Sequence, residues 1–423
     1  MLATLRQRDF GLLWVAGLVS VAGDYALMIA LPLHAYVLTG SAVATGGVFA
    51  ASLIPRVLLG SVAGVFVDRW DRKRTMVAVD LLRAAALLPL LLVGSPDLLW
   101  LLYLVRTVTG SLGLLFEPAE AALLPKLVGE DRLVTANALN ALNNNLGRLV
   151  GPAAGGLLYA TGGLPVVVVV DAASFAVSAG LILAIRTHAR PERDGSATTG
   201  DSAWRRMAGE WIAGLQLVRR NPSLGAIFLA LGVGFVGDGT FAVGFTPLVV
   251  DVLAGGAQGA GIVSSAQAVG GLCAGVVIAR VALTVSPRVL FGGGLVGLGL
   301  ADLGMANAAS LAPAGAAAVM TGAAFMLVAG IPIVAAFAAG HGLLQTLTVD
   351  AFRGRVFGAL GAVQGLAMLV GLGVGGAAID RLGVVPVVSC GAAMWIVGGI
   401  VALMRLPAAA GKETAAGGDA ATL

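Results

Sequence analysis

Residues 57–74 read VLLGSVAGVFVDRWDRKR, an apolar run that ends abruptly in a segment dense in charge. The apolar part belongs to a longer stretch, 43–67, and about 20 mostly apolar residues suffice to cross a bilayer as a helix. The basic part is typical of a loop that stays on the cytoplasmic side of a membrane. The same alternation of apolar run and short polar loop recurs along the chain, which predicts a polytopic membrane protein.

The composition supports lipid as the main solvent of this chain. Charged residues make up 11% of the 423 residues and apolar residues 58%, with a mean hydropathy of +0.95. A soluble domain carries about 25% charged residues. The net charge of +4 does not indicate a nucleic-acid partner, because the basic residues lie in short loops between apolar runs. Two separate cysteines and three scattered histidines predict no disulfide framework, no metal site and no cofactor.

The apolar runs are separated by Gly, Pro, Ser or charged residues, as at Thr161-Gly162-Gly163. Of the 26 Lys and Arg residues, 21 fall in one set of loops, whereas the opposite set holds only Arg381. This asymmetry predicts an even number of spans with both termini in the cytoplasm. We therefore predict an all-α membrane protein of twelve transmembrane helices, at 11–33, 43–67, 75–94, 98–122, 137–161, 165–186, 223–250, 258–280, 287–306, 312–339, 356–379 and 384–405.

The longest polar loop divides six spans from six. Its second part has apolar residues spaced by three or four between Trp204 and Leu215, which favours an amphipathic helix on the inner membrane face. A partly ordered linker is the alternative. The predicted units are an N-terminal six-helix bundle (1–186), a cytoplasmic linker (187–222), a C-terminal six-helix bundle (223–407) and a disordered tail rich in Ala and Gly (408–423).

The two halves repeat each other weakly. Gly23-Asp24 in the first span has a counterpart in Gly237-Asp238 in the seventh, and Gly151 in the fifth has one in Gly371 in the eleventh. The residues around Gly64 also match those around Gly275 at nearly the same separation. Parallel repeats of this kind place a substrate path at the interface between two pseudo-symmetric bundles, near the bilayer midplane.

Several motifs carry a resemblance to a known family. The loop after the second span has Gly, three apolar residues, Asp-Arg and then a basic run, and segments at Arg106, Gly147 and Asp350 match further signatures. The chain resembles members of the major facilitator superfamily, and within it bacterial drug and siderophore exporters of the macrolide-efflux type. The resemblance implies a multi-pass transporter of a bacterial inner membrane. It also implies a cytoplasmic gate formed by Gly64, Asp68, Arg69, Arg72, Lys73 and Arg74, although a purely topogenic basic loop is the alternative.

The fifth span carries a motif similar to the family's antiporter motif. Small residues spaced by four permit close approach of helix backbones, and a proline within the motif allows a bend. Such packing could prevent a proton leak, and plain helix packing is an equal explanation. The motif consists of Gly147, Gly151, Pro152, Gly155 and Gly156.

Three ionisable residues inside spans are candidates for proton coupling. Asp24 lies about 20 Å from the cytoplasmic edge and Arg106 about 12 Å from the outer edge, by the rise of a helix, so the two depths agree in a core roughly 30 Å thick. An isolated charge at that depth is costly. We predict that Asp24 carries the proton and Arg106 tunes it, with a static ion pair as the alternative, and that Asp238 is the counterpart of Asp24 in the second half.

The remaining polar residues inside spans have less specific interpretations. Snorkelling or local pairing near the inner face explains Arg56, Asp80 and Arg83, and Asp302 is expected at a solvated helix end. Glu117 and Glu120 are expected in the inner gate. Candidates for the cavity wall, with helix packing as the alternative, are Asn144, Arg148, Gln267, His341 and Gln364.

Three classes of function compete. No Gly-x4-Gly-Lys-Ser/Thr stretch occurs, so an ion gradient rather than ATP is the expected energy source. A lipid-modifying membrane enzyme needs a cluster of His or acidic residues, and a passive channel does not need buried acids. We predict proton-coupled efflux of a small amphipathic or drug-like compound, hydrophobic or weakly cationic, by a monomer that works by alternating access. Siderophore or other metabolite export is the alternative, and lipid transport or uptake comes behind it. The expected partners are a small-molecule substrate, protons and the lipid bilayer.

Overall fold

The computed structural model describes residues 2–67, 70–187, 209, 216–281 and 284–407. These residues form helices and loops, with no strand among them. The long helices are α1 (Arg8–Thr39), α2 (Ala42–Val67), α3 (Arg72–Leu87), α4 (Leu99–Val128), a segment Leu133–Leu183 that contains α5 and α6, α7 (Pro222–Pro247), α8 (Gly256–Val281), α9 (Pro287–Ala306), α10 (Ala316–Leu347), α11 (Asp350–Leu382) and α12 (Val384–Arg405).

The long segment Leu133–Leu183 is two helices and not one. Its 51 residues would span about 75 Å as a straight helix, more than twice the roughly 30 Å of a hydrocarbon core. Gly163 has φ 66° and ψ −164°, a conformation that favours glycine and breaks the helix. We therefore name residues 133–162 α5 and residues 164–183 α6. The break falls at the Gly162-Gly163 pair that the sequence predicts as a boundary.

The described residues contain ten helical stretches that are long and apolar enough to cross a membrane by themselves. One of these stretches includes both α5 and α6, and α8 has 26 residues, enough to span as well. The described residues therefore contain twelve spans. This confirms the predicted fold class, two pseudo-symmetric bundles of six helices, α1–α6 and α7–α12.

The pseudo-symmetry is visible where the central helices pack. In the first bundle Gly151 of α5 lies so close to α1 that a Cβ atom there would be 2.7 Å from the carbonyl oxygen of Ala22. In the second bundle a Cβ on Gly371 of α11 would be 2.1 Å from the carbonyl oxygen of Val236 in α7. Matching glycines thus hold α1 against α5 and α7 against α11. The residues that they contact, Ala22 and Val236, each lie two positions before an aspartate, Asp24 and Asp238.

The bundles meet through two equivalent helix pairs, α2 with α11 and α5 with α8. A Cβ on Gly156 would lie 2.4 Å from the carbonyl oxygen of Ala257, and a Cβ on Gly376 would lie 3.2 Å from the Cα of Val43. Both contacts fall near the start of α2 or α8. We call that side of the molecule the far face, and the side where α1 begins and α12 ends the terminal face.

Polar contacts also join the bundles at the far face. The hydroxyl of Tyr36 at the end of α1 donates to the carboxylate of Asp251. Asp380 of α11 accepts from the backbone N–H of Ala42 at 3.3 Å and from the hydroxyl of Ser41 at 3.4 Å, so it caps the start of α2. The molecule is therefore closed at the far face, and the space between the bundles lies on the terminal side of these contacts.

Two sequence expectations about single elements need comment. The sequence predicts Asp302 at a solvated helix end, and this prediction is wrong. Asp302 is 4% exposed inside the second bundle, because α9 packs there against α12. The predicted amphipathic helix between Trp204 and Leu215, apart from Gly209, and the predicted tail from residue 408 lie outside the described residues.

Candidate functional site: the cavity between the bundles

A cavity of about 860 Å³ lies between the bundles on the terminal side of the far-face contacts. Helices α2 and α4 supply one wall, and α7 and α11 the other. The polar residues in this wall are Arg56, Glu117 and Gln364, and the remainder is apolar or glycine. The apolar part includes Leu53, Val57, Leu114, Phe235 and Met368.

Two smaller spaces adjoin the cavity deeper in the first bundle. One, of about 300 Å³, is lined by Asp24, Arg83, Arg106 and Asn144 among others. The other, of about 180 Å³, is lined by Arg106 together with mostly apolar residues. Arg56 lines all three spaces, so they lie side by side between the cavity and the ionisable residues of the first bundle.

Asp24 forms an ion pair with Arg83 of α3. One carboxylate oxygen of Asp24 lies 3.5 Å from a terminal nitrogen of Arg83, and the two side chains are 36% and 15% exposed. The Nε atom of Arg83 donates to the carbonyl of Thr109 at 3.3 Å. Its guanidinium stands 4.9 Å from the ring centre of Phe175, a distance that suits a cation–π contact. Arg83 therefore connects four helices of the first bundle.

The observed pairing differs from the one that the sequence favours. Asp24 and Arg106 do line the same 300 Å³ space, as the depth argument predicts. The ion pair of Asp24, however, is with Arg83, for which the sequence indicates snorkelling or local pairing. A residue count along a helix gives depth but not the direction of the side chain around the axis, so it could not choose between the two arginines.

Asp171 of α6 is a buried acid that the sequence reasoning missed. It is 1% exposed, and its Oδ1 accepts from the hydroxyl of Ser174 at 3.2 Å. Its Oδ2 has no hydrogen-bond partner among the described residues. A Cβ on Gly23 would lie 2.2 Å from Oδ1, so the glycine before Asp24 is what admits this carboxyl. The available signal was an acid directly after the five valines 166–170 of the sixth span.

Asp80 of α3 is also fully buried. It is 0% exposed, and its Oδ2 accepts from the hydroxyl of Ser178 in α6 at 2.6 Å. The sequence places Asp80 near the inner face with local pairing as one explanation, and this hydrogen bond is such a contact. Asp24, Asp80 and Asp171 thus belong to three different helices of the first bundle, α1, α3 and α6.

The antiporter-like motif makes two kinds of contact. A Cβ on Gly155 would lie 2.4 Å from the carbonyl oxygen of Ala26, and Gly147 and Gly151 pack on the same helix α1. Gly156 faces the other way, toward α8. There a Cβ on Gly261 would lie 2.6 Å from the carbonyl oxygen of Pro152. One motif therefore holds α5 against its own bundle and against the second bundle.

The predicted wall residues are distributed unevenly. The hydroxyl of Tyr25 donates to Asn144 at 3.3 Å within the first bundle. Arg148 of α5 donates to Gln267 of α8 at 3.3 Å, a hydrogen bond between the bundles. Gln364 lines the main cavity. His341, in contrast, stacks on Phe357 at 5.8 Å and is not among the lining residues of the cavities described above.

Asp238 lies half-buried in the middle of α7. Its side chain makes no hydrogen bond or ion pair with the described residues, unlike that of Asp24. The two pseudo-equivalent acids therefore have different surroundings. The ionisable groups that meet at the cavity come mainly from the first bundle.

The predicted gate loop is described only in part. Asp68 and Arg69 lie outside the described residues, as do the surroundings of Gly64 within α2. Arg72 donates to the carbonyl of Ala122 at 3.1 Å and Lys73 to that of Ile185. Asp71 caps α3 by accepting from the backbone N–H of Arg74 at 2.9 Å. These contacts all lie within the first bundle.

The described residues contain no group of three or more His, Cys, Asp or Glu side chains placed to hold a metal ion. What the region offers is a solvent-accessible space with buried ionisable groups at its end. Such an arrangement suits binding and movement of a solute rather than bond chemistry.

Comparison with known proteins agrees with this geometry. The model of the Major Facilitator Superfamily matches residues 13–372. The chain belongs to the major facilitator superfamily. It is therefore a multi-pass membrane transporter for small molecules and not an enzyme.

The named relatives of this transporter are bacterial proteins. It is 27% identical to the uncharacterized MFS-type transporter YfiS of Bacillus subtilis (strain 168) over 93% of this chain and 92% of that protein. It is also 27% identical to macrolide efflux protein A of Streptococcus pyogenes, over 52% of this chain and 53% of that protein. The structure of a bacterial homologue of the iron transporter ferroportin in an inward-facing state has a similar fold, with a TM-score of 0.72, 16% identity and coverage of 94% and 98%.

Proposed function

We propose that this transporter exports small amphipathic or drug-like compounds from the cytoplasm by alternating access, in exchange for protons. The observation that carries the proposal is the cavity of about 860 Å³ between the bundles. It is closed at the far face and adjoins the smaller space that the Asp24–Arg83 ion pair lines. A binding space that adjoins ionisable groups in a membrane is what coupled transport requires.

The charge of the loops supports the direction of access. In the predicted topology, 21 of the 26 Lys and Arg residues fall in the set of loops on the side of the chain ends, and Arg381 alone falls on the opposite side. The terminal face is then cytoplasmic. The cavity opens toward the cytoplasm, so a compound in the cell would enter it without a preceding conformational change.

Asp24 is the proposed proton carrier. Its side chain is 36% exposed to the cavity region and lies 3.5 Å from Arg83, so water and protons can reach it while the pair is formed. Protonation removes the negative charge that balances Arg83, and Arg83 then loses its ion pair. Arg106 lines the same space and would tune the carboxyl through its charge. Asp238 would be a second carboxyl for protons or substrate in the other half.

The gate and the glycine motif have supporting roles in this proposal. The loop from Asp68 to Arg74 would hold the cytoplasmic side shut in the alternative state. The motif from Gly147 to Gly156 keeps α5 in contact with α1 and α8, which would restrict proton leakage between these helices.

Efflux of drug-like compounds is supported by the relative named as a macrolide efflux protein. Export of siderophores or other metabolites is the alternative, because the cavity wall combines apolar residues with Arg56, Glu117 and Gln364. Lipid transport and uptake are third in this ranking of functions.

The test is compound-dependent proton flux in proteoliposomes, measured with a trapped pH dye and a panel of macrolides, lipophilic cations and organic acids. We expect at least one compound to drive proton movement with the wild-type protein, and Asp24→Asn to abolish it while the protein remains folded. Asp131→Asn, at a side chain 79% exposed in a loop, is the control and should behave as wild type. Normal coupling in Asp24→Asn would exclude Asp24 as the carrier.

A further inference from the structure

Two arginines from different helices share the smallest of the three spaces. Arg56 of α2 and Arg106 of α4 both line the space of about 180 Å³. The rest of its lining consists of Ser52 and apolar residues, and no acidic residue is among the described residues that line it. The apolar lining residues are Met28, Leu31, Pro32, Val48, Phe49, Leu53 and Met368.

Neither arginine forms an ion pair with a described residue, although Asp24 and Asp171 lie within electrostatic range of Arg106. The nearby carboxylate of Asp24 is paired with Arg83. Within the described parts of the chain, no carboxylate oxygen lies within 4.0 Å of the guanidinium of Arg56 or of Arg106. Neither side chain donates a hydrogen bond to another described residue. The pocket therefore has two positive charges without an anion in contact with them.

Alternating access makes this arrangement costly for an empty transporter. While the cavity is open, water solvates the two guanidinium groups. Closure removes that water, and a cation that is buried without a partner is strongly disfavoured. Glu117 could approach Arg56 on closure, since both line the two larger spaces. Arg106 also lines the space of about 300 Å³, but neither Glu117 nor Asp24 lines the smallest space, which both arginines share.

We propose that the cargo carries an anionic group, a carboxylate, sulfonate or phosphate, which binds between Arg56 and Arg106. The planar guanidinium group matches such oxyanions with two parallel hydrogen bonds. The apolar body of the cargo then packs against Phe49, Leu53 and Met368. This inference rests on the proposed function and names its substrate class, in place of the hydrophobic or weakly cationic cargo that the sequence predicts.

The experiment measures thermal unfolding of the full-length protein in phosphatidylcholine nanodiscs, which supply no headgroup with a net negative charge. The probes are 2-naphthoate, 2-naphthamide and 2-naphthylmethylamine, which share one apolar body and differ in charge. We expect 2-naphthoate to raise the unfolding temperature in a saturable manner, with little effect of the other two. Arg56→Gln and Arg106→Gln should each weaken the apparent affinity for 2-naphthoate about tenfold or more.

Control variants show whether the response depends on these two arginines. Arg132→Gln, in a loop outside the cavities, should leave the response to 2-naphthoate unchanged. Glu117→Gln should strengthen it, because it removes a negative charge near Arg56. Arg56→Lys should retain part of the response and so show that Arg56→Gln fails through charge rather than folding.

An equal response of the wild-type protein to the amide, or a preference for the amine, would overturn the proposal. So would an unchanged response in both Arg56→Gln and Arg106→Gln. Proton flux driven by a cation panel with no binding of 2-naphthoate would leave the proposed function standing and end this inference. Binding of 2-naphthoate through Arg56 and Arg106 without proton flux would support this inference and contradict the proposed proton coupling.

Discussion

Asp24 shares one small space with three arginines, Arg56, Arg83 and Arg106, and of these its side chain forms an ion pair with Arg83 alone. The sequence identifies the acid and its depth, because one residue adds about 1.5 Å along a helix. It does not identify the partner, which depends on how α3 and α4 rotate about their axes. Asp171 escapes prediction for a related reason, since it approaches α1 only where Gly23 of α1 meets α6.

At this scale the first prediction concerns the strength of the Asp24–Arg83 pair. In a double-mutant cycle of Asp24→Asn and Arg83→Gln we expect a coupling energy of roughly 1–2 kcal/mol. This is less than the roughly 3–5 kcal/mol lost when a fully buried pair is broken, because Asp24 is 36% exposed and water screens the interaction. The measurement is reversible unfolding in mixed micelles.

The matched control for that cycle is the pair of Asp131 and Arg132. Its atoms are 3.6 Å apart, but the side chains are 79% and 43% exposed, so no measurable coupling is expected. Equal coupling energies in the two pairs would contradict a special role for the surroundings of Asp24.

Among the helices, features that come from backbone chemistry have a signal in the sequence, at glycine or proline, whereas features that come from packing have none. The break between α5 and α6 lies at Gly163, in the Gly-Gly pair that the sequence offers. Span three, predicted to residue 94, ends as an α-helix at Leu87 and continues as a 3₁₀ segment to Leu92, because Pro89 cannot donate a helical hydrogen bond. The burial of Asp302 depends on the contact of α9 with α12, which no local pattern reveals.

The element-scale prediction compares two glycines inside long helices. Gly155→Ala would place a Cβ 2.4 Å from the carbonyl oxygen of Ala26, whereas a Cβ at Gly180 meets nothing within 4 Å. We expect Gly155→Ala to destabilise the protein by about 1–3 kcal/mol through overpacking. Gly180→Ala should be neutral or stabilise it by up to about 1 kcal/mol, because alanine favours helix.

The check is thermal unfolding followed by fluorescence-detected size exclusion in detergent. If Gly155→Ala is as stable as Gly180→Ala, α1 and α5 are not in the close contact described, and the antiporter-like motif has no packing role in this protein.

For the whole molecule, the twelve-helix architecture follows from hydropathy, loop charge and the internal repeat. The sequence does not predict which face of the molecule is open, because the same sequence must be compatible with both states of an alternating-access cycle. The state is set by contacts between residues far apart in sequence. Examples are Tyr36 with Asp251 and Asp380 with Ala42, each of which joins the first bundle to the second.

Transport by alternating access requires that the bundles rock against each other, so that opening one face closes the other. Electron–electron distance measurements on spin-labelled protein detect this motion directly. One pair of labels belongs at the far face (Asp97→Cys with Ser310→Cys) and the other at the terminal face (Asp131→Cys with Val349→Cys). All four sites are exposed in loops or near helix ends, and the exposed Cys273 and Cys390 are first replaced by serine.

The comparison is between this background and the same protein with Asp251→Ala and Asp380→Ala, which removes the polar contacts of the far face. We expect the far-face distance to lengthen and the terminal-face distance to shorten together in the variant. A far-face distance that lengthens while the terminal-face distance stays the same would contradict rocking of the two bundles.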